Sequence, residues 1–479
     1  MAMYQDELNA RITEERAAIE LIKITSDLSF ERSIELTIFR NQLIDKRSSE
    51  ILNLHEYAKA FVEKPINIIE TLKIAKAISQ SNISSSKIDI GKLTFEWIKE
   101  KNSYENIRTF INEKLKFIED TSSEFTPKDV ILFGFGRIGR LLARELMSQK
   151  GKGEQLRLRV IVLRNIDDQS IIKRASLLST DSVHGKFPGT VITDLENKAL
   201  IINGHSVKLI KASTPEEVDY TKYEINNALL IDNTGVYRDK QALTRHLKAA
   251  GVSKVLLTAP GNEIPNIVFG ANHLKYDINS FDIFSAASCT TNAITPILKV
   301  VNDKLGIKKG HIETIHAYTN DQNLVDNMHK KERRGRAAAL NMVITNTGAG
   351  KAVVKVIPEL EGKLTANAVR VPTPNGSLAI LNLSLQHATN VNDINNIMKQ
   401  AALKGELVEQ INYSLSNELV STDIVGNNAP AVYDSPATIS SKDGKSIVLY
   451  VWYDNEYGYS RQVMRLAKYI SNVRRPMNY

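Results

Sequence analysis

Cysteine is nearly absent from this chain: 479 residues contain one, Cys289. A lone thiol excludes an internal disulfide framework and a four-cysteine zinc site, and suits a reducing, cytoplasmic setting. Long apolar runs are missing as well. None approaches the roughly 20 residues that span a bilayer, so no membrane association is expected. The stretch from Met1 to Glu20 carries Asp6, Glu7, Glu14 and Glu15 among its apolar positions, which denies it the core of a secretory signal. Excess charge of one sign is small, with 62 basic against 54 acidic side chains. The net +8 reads as a solvated, lysine-rich surface that welcomes anionic substrates, and no nucleic-acid partner is expected. At 42% hydrophobic and 24% charged the composition is that of a folded globule, and its length suits two to three domains.

Glycine and proline are scarce at one end. Between Met1 and Pro127 stand one glycine, Gly91, and two prolines, Pro65 and Pro127. Such sparse punctuation favours long helices. Ile22, Ile24, Leu28 and Ile34 to Ile38 lie among Glu, Lys and Arg, as amphipathic helices require, while an isoleucine-rich piece from Lys87 to Leu93 is a candidate extended segment. His55 stands alone amid helical signals and reads as structural. Thr121 to Lys128 is polar and carries Pro127, as a linker would.

The texture then changes. Apolar β-type runs (Val130 to Phe133, Leu158 to Leu163, Ala228 to Ile231, Lys254 to Leu257) alternate with helical patterns and glycine turns. That alternation predicts βαβ units and a mostly parallel sheet. From about residue 280 the strands lengthen: Gly310 to Thr319, Asn367 to Val371, Leu378 to Leu385 and Ser446 to Trp452. The fold class expected is α/β, a Rossmann-type dinucleotide-binding domain plus an α+β catalytic domain, preceded by a mainly α-helical extension. The boundaries expected are 1–127 for the extension, 128–288 for the dinucleotide domain completed by a C-terminal helix 456–479, and 289–455 for the catalytic domain.

Two segments carry chemistry. Phe133 runs into Gly134-Phe-Gly136-Arg137-Ile138-Gly139, with a helical pattern after it. A GxGxxG between strand and helix lets backbone approach a pyrophosphate, which free N–H groups and the helix dipole then hold. Arg137 and Ile138 are placed to flank the cofactor. The second strand ends at Leu163-Arg164-Asn-Ile-Asp167-Asp168. There a carboxylate favours the ribose hydroxyl of NAD and an arginine the ribose phosphate of NADP. Arg164 and Asp167 offer both, and the preference stays open.

The second segment is Ser288-Cys289-Thr290-Thr291-Asn292, followed by Ile294, Ile297, Leu298 and Val301 at helical spacing. Cys289 therefore falls at or just before a helix start, where a thiolate is favoured. A lone cysteine is equally a small core residue. His316 lies in a strand-like run whose alternation puts Thr314, His316 and Tyr318 on one face, and an imidazole near the thiol would polarise it. His311 and His316 lack a third neighbour at ligand spacing, so no metal is expected.

Taken together, Gly134 to Arg140, Ser288 to Asn292 and His316-Ala-Tyr-Thr319 resemble the phosphorylating glyceraldehyde-3-phosphate dehydrogenases. So do Asp181 to Phe187, Asn233 to Val236, Thr258 to Gly261, Thr347 to Ala352, Arg370 to Asn375 and Trp452 to Tyr459. The resemblance covers about residues 128 to 479, and the first 127 resemble the helical extension of longer bacterial members. It implies that Cys289 attacks the aldehyde of glyceraldehyde 3-phosphate with His316 as base, and that inorganic phosphate releases 1,3-bisphosphoglycerate. Ser288, Thr290, Thr347 and Gly348 would form one phosphate pocket, with Thr319 and Arg370 serving the other. Thr258 would join the cofactor site, while Asn455 and Tyr459 would orient and pack the nicotinamide. The segment with Arg333, Arg334 and Arg336 would line the cofactor pocket and a subunit contact in a homotetramer. Ala286 and Arg164 depart from common family residues. Two other readings are a dehydrogenase of a related phosphorylated aldehyde such as erythrose 4-phosphate, and a nucleotide-binding scaffold with an interaction arm.

Overall fold

A computed structural model describes residues 2–116, 126–149 and 151–478. Most of the linker expected at Thr121 to Lys128 lies outside them. The chain divides into two compact units: Met1–Pro127 with Gln149–Gln155 and Val473–Tyr479, and Lys128–Ser148 with Leu156–Asn472.

In the smaller unit the helices Ala2–Arg32, Ser48–Ala60, Ile68–Gln80, Ile90–Glu100 and Ile107–Leu115 enclose an apolar core that includes Leu21, Ile51, Ile74, Ile78 and Phe110. The expected extended piece is the strand Lys87–Asp89. One expectation fails here: Ile34 to Ile38 is not helical. The long helix stops at Arg32, Ser33 turns at φ 55°, and Glu35–Ile38 forms a strand parallel to Lys87–Asp89. β-branched residues fit the pleated surface, and sheet pairing buries Leu36 and Ile38 completely. Asp89 explains the local geometry. One carboxylate oxygen accepts the N–H groups of Phe39, Gly91 and Lys92, and the other accepts that of Arg40, so a single side chain caps a helix and closes a turn. His55 is buried, with Nδ1 2.9 Å from Ile51 O and Nε2 3.0 Å from Thr71 Oγ1, as a structural histidine should be.

The chain's last helix is Tyr457–Ile470, not 456–479. Beyond it Met477–Asn478 is a strand paired to Lys87–Asp89 within the smaller unit. Arg475 fastens this tail. Its guanidinium donates to Ser33 Oγ (3.1 Å), Glu35 Oε2 (3.2 Å), Gln155 Oε1 (3.1 Å) and Gly153 O (2.7 Å), joining three separate stretches of sequence. Removing one partner of a buried charge pair leaves the other uncompensated. Arg475→Ala is therefore expected to destabilise this unit by about 3 kcal/mol, read as an earlier transition in urea unfolding.

In the larger unit one sheet runs, in spatial order, Ile283–Ser285, Val252–Leu257, Ala228–Asp232, Lys128–Phe133, Leu156–Leu163, His205–Lys211, Ala199–Ile202, Val191–Asp194. Its first six strands are parallel and the last two pairings antiparallel. Parallel strands buried on both faces need near-continuous apolar runs, which Val130 to Phe133 and Leu229 to Ile231 supply. A second sheet centres on Ile307–Ala317, parallel to Leu364–Val371 and antiparallel to Ser377–Leu385. The helix Cys289–Leu305 packs its apolar side into this sheet's core. The architecture is the expected Rossmann-type sheet plus α+β domain.

Candidate active site

The glycines of the first turn do different jobs. Gly134 adopts φ 94°, a conformation L side chains rarely take. A Cβ on Gly139 would sit 2.7 Å from Gly134 O, so glycine lets the helix Arg137–Met147 lie against the turn it leaves. Gly136 caps that helix, and a Cβ there would meet nothing within 4 Å. The result is an open cradle of unpaired first-turn N–H groups at a helix start, a fit for a dinucleotide's pyrophosphate. Gly139→Ala is expected to cost about 1–3 kcal/mol through overpacking and to weaken dinucleotide binding, measured by calorimetric titration.

Arg137 is held in place by ion pairs. Its guanidinium is engaged by two carboxylates: Nη1 and Nη2 donate to Asp181 at 3.1 and 3.2 Å, and Nη2 and Nε donate to Glu456, the former at 2.6 Å. Against the upward push of burial, the N–H groups of His184 and Val183 and the Arg137 guanidinium hold Asp181 down to about 2. His184 Nε2 adds a 3.0 Å contact to Glu456. The Arg137 side chain keeps 29% of its surface exposed, and Ile138 beside it is half-buried. At the end of the second strand Arg164 is exposed, whereas Asp167 caps the helix Asp168–Ser179 by accepting Ser170 N–H at 2.7 Å. Thr258 donates its hydroxyl to Asp232 O at 3.0 Å, at the strand ends that edge the same crevice.

Cys289 is the first residue of its helix. Ser288 is the cap, its hydroxyl accepting Thr291 N–H at 3.0 Å and lying 2.7 Å from Thr291 Oγ1. His316 comes from the neighbouring strand, and its Nε2 lies 3.6 Å from Cys289 Sγ. The predicted face holds in part: Thr314 and His316 are buried, whereas Tyr318 is half-buried. Residue 370 pairs with residue 316 across the parallel strands, which brings Arg370 Nη1 to 2.8 Å from His316 Nδ1 and 2.9 Å from Ala317 O. Ala317 O also lies 2.7 Å from His316 Nδ1.

Opposing electrostatic effects act on the sulfur. Cys289 keeps a partly exposed surface, yet burial of its sulfur pushes the thiol up, with Arg370 pulling the other way. Burial, then Arg370, pushes His316 down to about 3. Helix-start geometry and Arg370 favour an ionised sulfur, and burial opposes them. The Cys289–His316 pair suits proton transfer on demand, with the base already at hydrogen-bond range of sulfur.

Around it, Thr290 Oγ1 lies 3.0 Å from Tyr453 OH, and Tyr453 presents its ring edge to His316. Ser377 accepts Ala317 N–H at 3.1 Å and donates to Asn455 Oδ1 at 2.8 Å, which turns the Asn455 amide nitrogen free of that bond. Tyr459 is buried and donates to Ala287 O at 3.0 Å, bracing the left-handed Ala287 just before the cysteine. Thr319 follows the His316 strand and is half-buried. Thr347 accepts Ala349 N–H at 3.2 Å, and Gly348, exposed and open, caps the helix Ala349–Val356.

Sequence reasoning missed Tyr453 and Ser377, and placed Arg334 in a loop lining the cofactor pocket and a subunit contact. Arg334 is buried, paired with Asp321, donates to Thr345 Oγ1 at 3.1 Å, and lies close enough to depress both Arg370 and His316. The arginine-rich run was the signal; its burial was not visible.

Residues 128–240 match the family described as the glyceraldehyde 3-phosphate dehydrogenase NAD binding domain, and residues 288–455 match its C-terminal domain. A glyceraldehyde-3-phosphate dehydrogenase-like protein of Pseudomonas aeruginosa is 46% identical over 462 residues, 95% of this chain and 99% of its own length. A glyceraldehyde-3-phosphate dehydrogenase 2 of Nostoc sp. is 42% identical over 344 residues, 71% of this chain and 98% of its own. A glyceraldehyde-3-phosphate dehydrogenase 1 of Bacillus subtilis is 40% identical over 339 residues, 71% and 96% respectively. The match to the Pseudomonas relative is long enough to include most of the N-terminal region.

Proposed function

The chain belongs to the glyceraldehyde-3-phosphate dehydrogenase family, and we propose that it oxidises D-glyceraldehyde 3-phosphate to 1,3-bisphosphoglycerate with NAD or NADP and inorganic phosphate, through a thioester on Cys289. The observation that carries this reading is the 3.6 Å approach of His316 Nε2 to Cys289 Sγ at a helix start. His316 takes the thiol proton as sulfur adds to the aldehyde carbon, giving a thiohemiacetal. The Cys289 N–H and the His316 ring stabilise the oxyanion. His316 returns that proton to the oxyanion, takes it back from the resulting hydroxyl as hydride departs and the thioester forms, and hands it to the sulfur when phosphate later expels it. Inorganic phosphate attacks the thioester carbonyl, the C–S bond breaks, and the acyl phosphate leaves with Cys289 restored.

The dinucleotide, when bound, supplies the hydride acceptor for the oxidation step. Gly134, Gly136 and Gly139, with the backbone of Arg137 and Ile138, hold its pyrophosphate. Arg164 and Asp167 meet the adenosine ribose, and Thr258 edges the crevice. Asn455 offers its amide to the nicotinamide carboxamide and Tyr459 packs nearby. Ser288, Thr290, Thr347 and Gly348 bind one phosphate, Thr319 and Arg370 the other; hydroxyls, backbone N–H groups and a guanidinium are fitting donors. Residues 128–288 serve as the dinucleotide domain and 289–455 as the catalytic domain, in a cytoplasmic homotetramer. Among the described residues no helix is long and apolar enough to cross a membrane.

The test is steady-state kinetics with NAD and NADP side by side, with and without inorganic phosphate. Turnover that needs phosphate absolutely is the expected result. Phosphate-independent oxidation, or a clear preference for erythrose 4-phosphate, would overturn it.

A further inference from the structure

The crevice beside the glycine turn has a second wall. Strand order reverses between Lys128–Phe133 and Ala228–Asp232. The chain adds Leu156–Leu163 and His205–Lys211 on one side, then Val252–Leu257 and Ile283–Ser285 on the other. A sheet of this kind opens a ligand crevice at the carboxyl ends of the strands where the reversal falls. Gly134 follows one of the two strands and Asn233-Thr234 the other. They touch: a Cβ on Gly134 would lie 3.0 Å from Thr234 Cγ2, so the threonine methyl packs over that glycine. The position of Thr234 therefore bears on the shape of the turn.

Thr234 is exposed, and a fully buried residue holds it. Asp232 Oδ1 accepts both the N–H and the hydroxyl of Thr234 at 2.7 Å. The Asp232 carbonyl accepts the N–H and the hydroxyl of Thr258, at 3.1 and 3.0 Å. Its other carboxylate oxygen lies 2.9 Å from Nε2 of His246, an equally buried residue on the helix Lys240–Leu247. A carboxylate only accepts, so Nε2 is the donor. That is the imidazole's one hydrogen bond among the described residues. Its Nδ1 has no partner, and the rings of Phe133 and Tyr237 meet it nearly edge-on at 4.7 and 5.3 Å. Buried polar groups are ordinarily paired as fully as they can be. This imidazole forgoes one partner and keeps the carboxylate.

Resting on the reading above, in which the glycine turn holds NAD or NADP, we infer that Asp232 and His246 are a positioning pair for the dinucleotide. His246 aims the carboxylate, the carboxylate fixes Thr234 against Gly134, and the turn has its binding shape before the ligand arrives. Both side chains are fully buried, so the pair acts through Thr234 and meets no ligand itself. A wall fixed in advance lowers the ordering cost of binding, and the effect falls on affinity. Bond geometry carries it, not charge. Asparagine at 232 would offer Thr234 the same oxygen and turn its amide to His246, whose Nε2 accepts in the other tautomer.

The experiment titrates the full-length protein calorimetrically with NAD and with NADP, and measures steady-state kinetics with the tighter of the two. Asp232→Ala is expected to raise the dissociation constant and KM for the dinucleotide by about tenfold, the worth of one or two hydrogen bonds to a charged acceptor. Its kcat at saturating dinucleotide should hold. Asp232→Asn should restore most of the affinity. Thr234→Val, at an exposed position, should raise the dissociation constant part of the way, and it decides the matter if Asp232→Ala does not fold. Unchanged affinity in Asp232→Ala or, failing that variant, in Thr234→Val overturns the inference. So does a kcat that falls while KM holds, the mark of general damage. An Asp232→Asn as weak as Asp232→Ala also overturns it, because charge would then carry the effect. A wild type that binds neither NAD nor NADP fails differently: it strikes the dinucleotide reading, and the inference falls with it.

Discussion

Cys289→Ser is expected to cut phosphate-dependent oxidation by a factor on the order of 10⁴ to 10⁶, the range seen when a nucleophile is removed from a group that acts as a unit. The reason is chemical. A serine hydroxyl next to His316 is a far weaker nucleophile, because its alkoxide lies many pKa steps above a thiolate. Dinucleotide binding should survive, since the cradle at Gly134 to Gly139 is built from backbone and shares no bond with the sulfur. The measurement pairs single-turnover acylation with calorimetric titration of NAD. Retained turnover within tenfold of wild type would sink the covalent scheme; lost dinucleotide affinity would point to a collapsed site. The same variant separates an enzyme from a scaffold that binds nucleotide and does nothing further.

The parts legible in the sequence are those where a residue type has one physical use. Gly134, Gly136 and Gly139 between a strand and a helix announced a tight, open turn, and the fold gives each glycine its own reason. A single cysteine before a helical pattern and a histidine in an alternating strand are likewise hard to read as filler once they occur together. Less was legible where function depends on which of several partners a long side chain selects. Arg137 stands in the phosphate turn, but Asp181 and Glu456 claim its guanidinium, and neither is near it in sequence. Asp167 looked like a ribose ligand and proves to be a helix cap as well, because the residue that ends a strand often begins the next helix.

Tyr453 and Ser377 were missed for a related reason: their roles arise from cross-strand register. Ser377 lies opposite Tyr453 in an antiparallel pair, and through its hydroxyl links the strand of His316 to Asn455. Register of that kind follows from how sheets assemble, and no local pattern encodes it. The strand Glu35–Ile38 shows the opposite failure. Its composition suits either helix or strand, and pairing with Lys87–Asp89, more than forty residues away, decides the matter.

His316→Asn is expected to lower kcat/KM by about 10²- to 10⁴-fold, the usual worth of a positioned general base. Asparagine keeps a polar group facing the sulfur but takes no proton, so the loss should fall on formation of the thioester while phosphate still serves as acceptor. The pH dependence then reports how the proton leaves. In the wild type the imidazole, pushed down to about 3, is available as acceptor across the working range. Activity should therefore change little between mildly acid and neutral pH. In the variant only bulk hydroxide removes the proton from a thiol that burial has pushed up, so activity should climb about tenfold per pH unit through the alkaline range. The gap between the two enzymes narrows accordingly as pH rises. Parallel pH profiles, offset by a constant factor, would show that His316 stabilises charge without moving a proton, and the base would have to be sought elsewhere in the site.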